Sequence, residues 1–362
     1  MMILGFLLVL GPLVTIHELG HYLVGRWCGV KAEAFSIGFG RELAGWTDRR
    51  GTRWKLSLLP LGGYVQFAGD MNPAGTPSQE WLDLPEAERA QTFQAHPLWQ
   101  RALIVLAGPL TNLLFALAIF AAFFMTVGKP QADAVVGDFT EHSAAQAAGM
   151  KQGDRILTID GDRIGDFFDV QQKTLMFPGK RIVLVLDRSG ERITLPVTIG
   201  ATELTDDFGN KQRTGMLGVY FKASYMRLPP LAAGVESVRQ TDAIVGTMVT
   251  GLWQIVTQQR SVKELGGPVK IAQYSGESLS QGPLAFVWFV ALISINLAFI
   301  NLLPIPALDG GHLAFYAAEA VRRRPVGQRS QEWAFRTGVA FVLALMLFVT
   351  FNDIASLPLF GR

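Results

Sequence analysis

The sequence Thr15-Ile16-His17-Glu18-Leu19-Gly20-His21 places three ionisable side chains at the end of a run that otherwise tolerates none. From Met1 to Ile16 the chain is uncharged and dominated by Leu, Val, Ile, Met and Phe, which reads as a helix inside a bilayer. A charged group at the centre of such a helix costs about 2.5–3.5 kcal/mol, so its presence calls for a function. On a helix His17 and His21 lie one turn apart on one face, where both imidazoles reach a single metal ion. Glu18 stands beside the first of them, where a general base for water attack is needed. A chance HExxH on a soluble helix, or a signal peptide, would account for the motif without chemistry. The apolar flanks argue against the first, and the lack of basic residues ahead of the run argues against the second.

The rest of the composition agrees with a membrane protein. The 362 residues are 49% hydrophobic and 17% charged, against about 25% charged in soluble domains. A formal net charge of +2 gives no basic surplus for nucleic acid, so no nucleic-acid partner is expected. Cys28 is the only cysteine, which excludes an intramolecular disulfide and a cysteine-based zinc cluster.

Four spans are expected: residues 1–25 carrying HExxH, 102–127, 283–312 and 333–352. Arg26, Lys31, Arg41, Arg49, Arg50, Arg53 and Lys55 follow the first span, and Arg322, Arg323, Arg324 and Arg329 follow the third. Both basic loops belong in the cytoplasm, which puts the metal motif toward that side and the long segment between spans two and three outside. Between them, residues 34–70 alternate apolar and polar positions (Phe35, Ile37, Phe39; Trp54, Leu56, Leu58) and read as a membrane-associated β-meander. An edge of it can pair with an extended substrate, or the hairpin can be purely structural. A polar loop follows from Asn72. In the second span Asn112 needs a partner on another helix and either glues helices together or faces the site.

Residues 129–222 read as a soluble α+β domain. Its Ser143-Ala144-Ala145-Gln146-Ala147-Ala148-Gly149-Met150, Gly153-Asp154-Arg155-Ile156 and Ile159-Asp160-Gly161 resemble a PDZ domain of the bacterial protease type. Such domains bind an extended peptide or a chain end by strand addition. Residues 228–260 form an amphipathic pattern too polar to span, expected as a helix lying on the outer membrane surface and broken at Gly266-Gly267-Pro268.

A catalytic zinc has three protein ligands and an open position. Two come from His17 and His21. The third is sought in Asn301-Leu302-Leu303-Pro304-Ile305-Pro306-Ala307-Leu308-Asp309-Gly310-Gly311-His312, where two prolines break the third span. Asp309 is the leading candidate and His312 the competitor, while Asp309 as a helix cap at Gly310 is the structural alternative.

The HELGH and NLLPIPALDGG motifs together, with Gly108-Pro109-Leu110-Thr111-Asn112, Gly267-Pro268 and the intervening PDZ-like segment, resemble the bacterial site-2 protease family of the RseP type. The resemblance implies a multi-pass inner-membrane zinc metalloendopeptidase for regulated intramembrane proteolysis. It implies Asp309 as third zinc ligand, Glu18 as catalytic base, and Asn301 as a residue that holds the substrate backbone. Its substrates would be single-span membrane proteins already trimmed outside, such as anti-sigma factors, with the PDZ domain screening out bulky external domains. The best-known RseP proteins carry two tandem PDZ domains; this chain has room for one. The competing readings are a membrane-anchored PDZ module with a structural or inactive zinc site, and a soluble-type zincin on an anchoring helix.

Overall fold

Uncharged runs become helices and alternating runs become strands in the computed structural model, which describes residues 1–69, 85–131, 133–205, 211–220, 224–259, 261–262, 266–324 and 326–355. Asp70, residues 72–84 of the polar loop expected over 72–99, parts of the 129–222 domain and the tail beyond residue 355 lie outside these. In chain order come α1 (Met2–Cys28), β1 (Ala32–Thr47), β2 (Arg53–Phe67) and α2 (Leu98–Thr126). Then follow β3 (Lys129–Gln131), β4 (Asp138–Phe139), β5 (Arg155–Ile159), β6 (Asp162–Arg163), α3 (Phe167–Leu175), β7 (Arg181–Arg188) and β8 (Glu191–Thr198). After β9 (Gly200–Thr205), β10 (Lys211–Met216), β11 (Val219–Tyr220) and β12 (Ser224–Met226) the chain is helical. Its helices are α4 (Pro230–Val256), α5 (Pro268–Ser280), α6 (Pro283–Leu302), α7 (Asp309–Arg322) and α8 (Gln328–Ala355). Among the described residues α1, α2, α6 and α8 are long and apolar enough to cross a membrane, matching the four expected spans. The chain divides into one unit of Met1–Ile119 with Gly266–Asp353, and a second of Phe120–Leu265 with Ile354–Arg362.

In the first unit α1 runs past the expected residue 25 because its stop signal is Gly29, whose φ of 94° supplies a left-handed cap. The expected meander is two long, bent antiparallel strands. Their register places Phe35 opposite both Val65 and Trp54, so the segments lie in the order 63–67, 32–37, 53–56, 42–47. Gly38 and Gly62, with φ of 91° and 147°, permit the bends. Asp48 closes the turn by accepting from the Arg50 and Thr52 amides at 2.8 and 3.0 Å. The sheet packs on α1 through an aromatic cluster: Tyr22 lies 5.7 Å from Phe35 and 5.2 Å from Trp54 between ring centroids. Phe39, Leu43, Trp46, Leu58 and Leu59 of the sheet are exposed and apolar.

Two features of this unit depart from the sequence reading. The expected third span, 283–312, is two helices: α6 stops at Leu302 and α7 starts at Asp309. Pro304 and Pro306 between them donate no N–H and hold the preceding residues extended, so the helix cannot pass. The expected break at Gly266–Pro268 is also the start of a helix, α5, with Pro268 in its first turn. Its glycine-lined face lies directly on α1. A Cβ at Gly5 would stand 2.7 Å from the Ser275 carbonyl carbon, and one at Gly276 would stand 2.9 Å from Met2 Cα. The Asp353 carboxylate of α8 anchors the N-terminus of α5 by accepting from the Gly267 and Lys270 amides at 3.0 and 3.1 Å.

The second unit holds the antiparallel sheet β6-β5-β7-β8. Alternate β7 residues Ile182, Leu184 and Leu186 are buried with Ile156, Val197 and, from α3, Phe167 and Val170. Asp154, 1% exposed, accepts twice from Arg188 at 2.7 Å and once from the Lys151 amide at 2.8 Å. Arg188 beside it holds this carboxyl below its ordinary range. The helix expected over 228–260 is α4, and its amphipathicity is inverted. Ala233, Ser237, Thr241 and Gln254 are buried, while Leu231, Val235, Val238, Val249, Trp253 and Val256 are exposed.

Candidate metal centre

Helical spacing turns His17 and His21 to one side of α1, and the close approach of α2 holds them there. A Cβ at Gly20 of α1 would lie 2.5 Å from the Ala107 carbonyl oxygen, so only glycine lets these two helices meet. At Gly108 of α2 a Cβ would lie 2.5 Å from His21 Cε1 and 2.9 Å from His17 Cε1. Gly108 is therefore the floor against which both rings rest. The His21 ring is oriented by its Nδ1–H, which donates to the Ile104 carbonyl at 2.8 Å and leaves Nε2 as a lone pair.

Asp309 arrives as the first residue of α7, at the far end of the proline break. The turn that delivers it is packed backbone on backbone. A Cβ at Gly311 would lie 2.8 Å from the Ile305 carbonyl carbon, and Gly338 of α8 is pressed against the Pro306 carbonyl. Asp309 Oδ2 then lies 3.1 Å from His17 Nε2 and 3.6 Å from His21 Nε2, and the two Nε2 atoms are 3.2 Å apart.

These three separations suit one tetrahedral ion. Metal–ligand bonds of about 2.0–2.1 Å at tetrahedral angles separate ligand atoms by roughly 3.3 Å. Asp309 Oδ2 is buried with no hydrogen-bond partner, as expected of an atom whose partner is a metal. A set of two imidazoles and one carboxylate, with a fourth direction left over, fits zinc. Among the described residues His17, His21 and Asp309 form the one group of this kind. His312, the competing candidate, lies on α7 but outside the group.

Glu18, next to His17 on α1, reaches the β-sheet. Its Oε2 accepts from the Val65 amide at 3.1 Å, and Gly63 leaves room for its stem. The base candidate thus sits against segment 63–67, one of the two outer segments of this sheet among the described residues. Asn301 is in the last turn of α6, ahead of the proline break, and is not part of the ligand group. Asn112 was the open case in the sequence, and its side chain faces the site: Nδ2 lies 3.4 Å from His17 Nδ1. The available signal was its spacing from Gly108, four residues earlier on the same helical face.

The sequence profile of peptidase family M50 matches residues 5–345. The chain belongs to peptidase family M50. Relatives of this M50 chain match it over nearly their full lengths. Atu1380 of Agrobacterium fabrum, provisionally named a zinc metalloprotease, is 45% identical over 361 residues, covering 98% of this chain and 96% of that protein. R01501 of Rhizobium meliloti, named in the same way, is 44% identical, covering 96% and 95%. Metalloprotease MmpA of Caulobacter vibrioides is 35% identical, covering 98% and 95%.

Proposed function

We propose that this M50 chain is an intramembrane zinc metalloprotease that hydrolyses a peptide bond within the transmembrane segment of a single-span membrane protein. The observation that carries the reading is the His17–His21–Asp309 triangle, with Glu18 beside it on a helix apolar enough to cross a bilayer. Zinc held by these three residues would supply Lewis acidity toward a water and a peptide carbonyl. Glu18 takes the proton of the attacking water on its carboxylate and passes it to the leaving amine. The lone pair at His21 Nε2 is kept free for the ion by the bond its Nδ1–H makes to the Ile104 carbonyl.

A helical substrate hides its carbonyls, so it must be held extended to react. Segment 63–67 offers the edge for a strand-like pairing beside Glu18, and Asn301 provides a side-chain amide to hold the substrate backbone. The exposed apolar surface of the sheet and of α4 suits contact with the bilayer. The α+β unit reads as a single PDZ domain, and the basic loops at the other ends of the spans support a position for it outside the cytoplasmic membrane. It would receive a peptide or chain end of a substrate already trimmed outside, such as an anti-sigma factor, in regulated intramembrane proteolysis.

The test compares wild type with Glu18→Gln for zinc content and for cleavage of a labelled single-span reporter in membranes. Cleavage should vanish in the variant while zinc remains. Undiminished cleavage overturns the mechanism, and a zinc-bound wild type that cleaves nothing would return the chain to a peptide-binding role.

A further inference from the structure

Asn112 is fully buried in α2, in contact with a metal-ligand candidate, and its own hydrogen bonding is incomplete. Its Nδ2 lies 3.4 Å from His17 Nδ1, while its Oδ1 is buried without a partner. Both oddities have one resolution. If His17 gives its Nε2 lone pair to a metal, its proton resides on Nδ1 and that atom is a donor. A donor facing an amide NH2 makes no bond. Turning the amide about its last torsion exchanges its two ends, so that Oδ1 accepts from His17 Nδ1–H.

We infer that Asn112 is a positioning residue for the metal centre: through Oδ1 it holds His17 in the Nδ1–H tautomer and fixes the plane of its ring. The inference rests on the metal reading above and extends it to the next layer of contacts. His21 is held in the equivalent way by the Ile104 carbonyl at 2.8 Å. Both anchors come from α2, a backbone group for one ring and a side chain for the other. The Asn112 backbone is itself held from a third helix, since Ser294 of α6, also fully buried, donates to the Asn112 main-chain carbonyl at 2.8 Å. The chain Ser294–Asn112–His17 therefore links the helix that leads to Asp309 with the helix that carries both histidines. Partners of this kind raise metal affinity about 10–100-fold in other zinc sites.

The experiment uses full-length protein in detergent and measures zinc affinity by chelator competition. Asn112→Leu keeps the volume and removes the acceptor; Asn112→Asp keeps an acceptor at Oδ1. The expected result is zinc binding weaker by about 10–100-fold in Asn112→Leu and restored to within a few-fold of wild type in Asn112→Asp. Ring 15N shifts of His17 in the zinc-loaded protein supply a readout that packing alone would not move. The Nδ1 signal should be that of a strongly bonded N–H in wild type and should shift in Asn112→Leu. An unchanged affinity and an unchanged Nδ1 signal in Asn112→Leu overturn the inference. So does an Asn112→Asp protein that is folded yet as weak as Asn112→Leu. A wild type that binds no zinc defeats the metal reading itself, which separates the two failures.

Discussion

Gly108→Ala is the sharpest test of the geometry, because it adds one methyl group and removes nothing. The new Cβ would stand 2.5 Å from His21 Cε1 and 2.9 Å from His17 Cε1. Carbon atoms pack at about 3.5–4.0 Å, so the rings must retreat by about 1 Å. Neither has room to do so cheaply. His21 would have to leave the Ile104 carbonyl, and a retreat of all of α1 would undo its contact with α2 at Gly20. Metal–ligand distances tolerate only about 0.2 Å, and a misplacement of about 1 Å at a reacting centre costs on the order of 100-fold. Zinc affinity by chelator competition and reporter cleavage should therefore both fall by about 100-fold in a protein that still folds. Gly11→Ala on α1 is the control, since nothing lies within 4 Å of its added Cβ. It should leave both quantities unchanged. A folded Gly108→Ala protein with wild-type zinc affinity would refute the claim that the glycine contact sets the ligand spacing.

Two further predictions address the frame around the site. Asp353→Ala strips the α5 N-terminus of its acceptor and leaves the Gly267 and Lys270 amides unpaired. The loss should be about 2 kcal/mol in thermal unfolding in detergent. Asp353→Asn should recover most of it, and equal losses in the two variants would show that the hydrogen bonds are not the cause. In the α+β unit, Arg188 lowers the Asp154 pKa, so the pair adds stability above the ordinary carboxylate pKa. That stability is lost as pH falls through the depressed value. Hydrogen exchange in β5 and β7 should therefore be faster in Arg188→Met than in wild type at pH 7, with the gap closing in strong acid. A gap that persists undiminished at about pH 2 would contradict the assignment.

Uncharged length located α1, α2, α6 and α8, period-two alternation located β1 and β2, and short apolar runs located β5, β7 and β8. The misses share a cause. Helix α5 is short and polar, so hydropathy does not mark it, although Pro268 is a starting signal. The proline break was visible, and so was Asp309 as a cap for a following helix, but hydropathy alone does not separate α6, which stops at Leu302, from α7.

By itself the sequence determined that His17 and His21 share a face, that Glu18 lies beside them and that all three sit in an apolar helix. Periodicity alone enforces those relations. The tertiary structure brought the Asp309 carboxylate within reach of both histidines. Asp309 and His312 both lie on α7, whose start is packed closely at Gly310, Gly311 and Gly338. The tertiary structure likewise turned Asn112 from helix glue into a partner of His17 and set Glu18 against the sheet edge. Distances between helices depend on side-chain volume at residues far apart in the chain, and no local pattern encodes them.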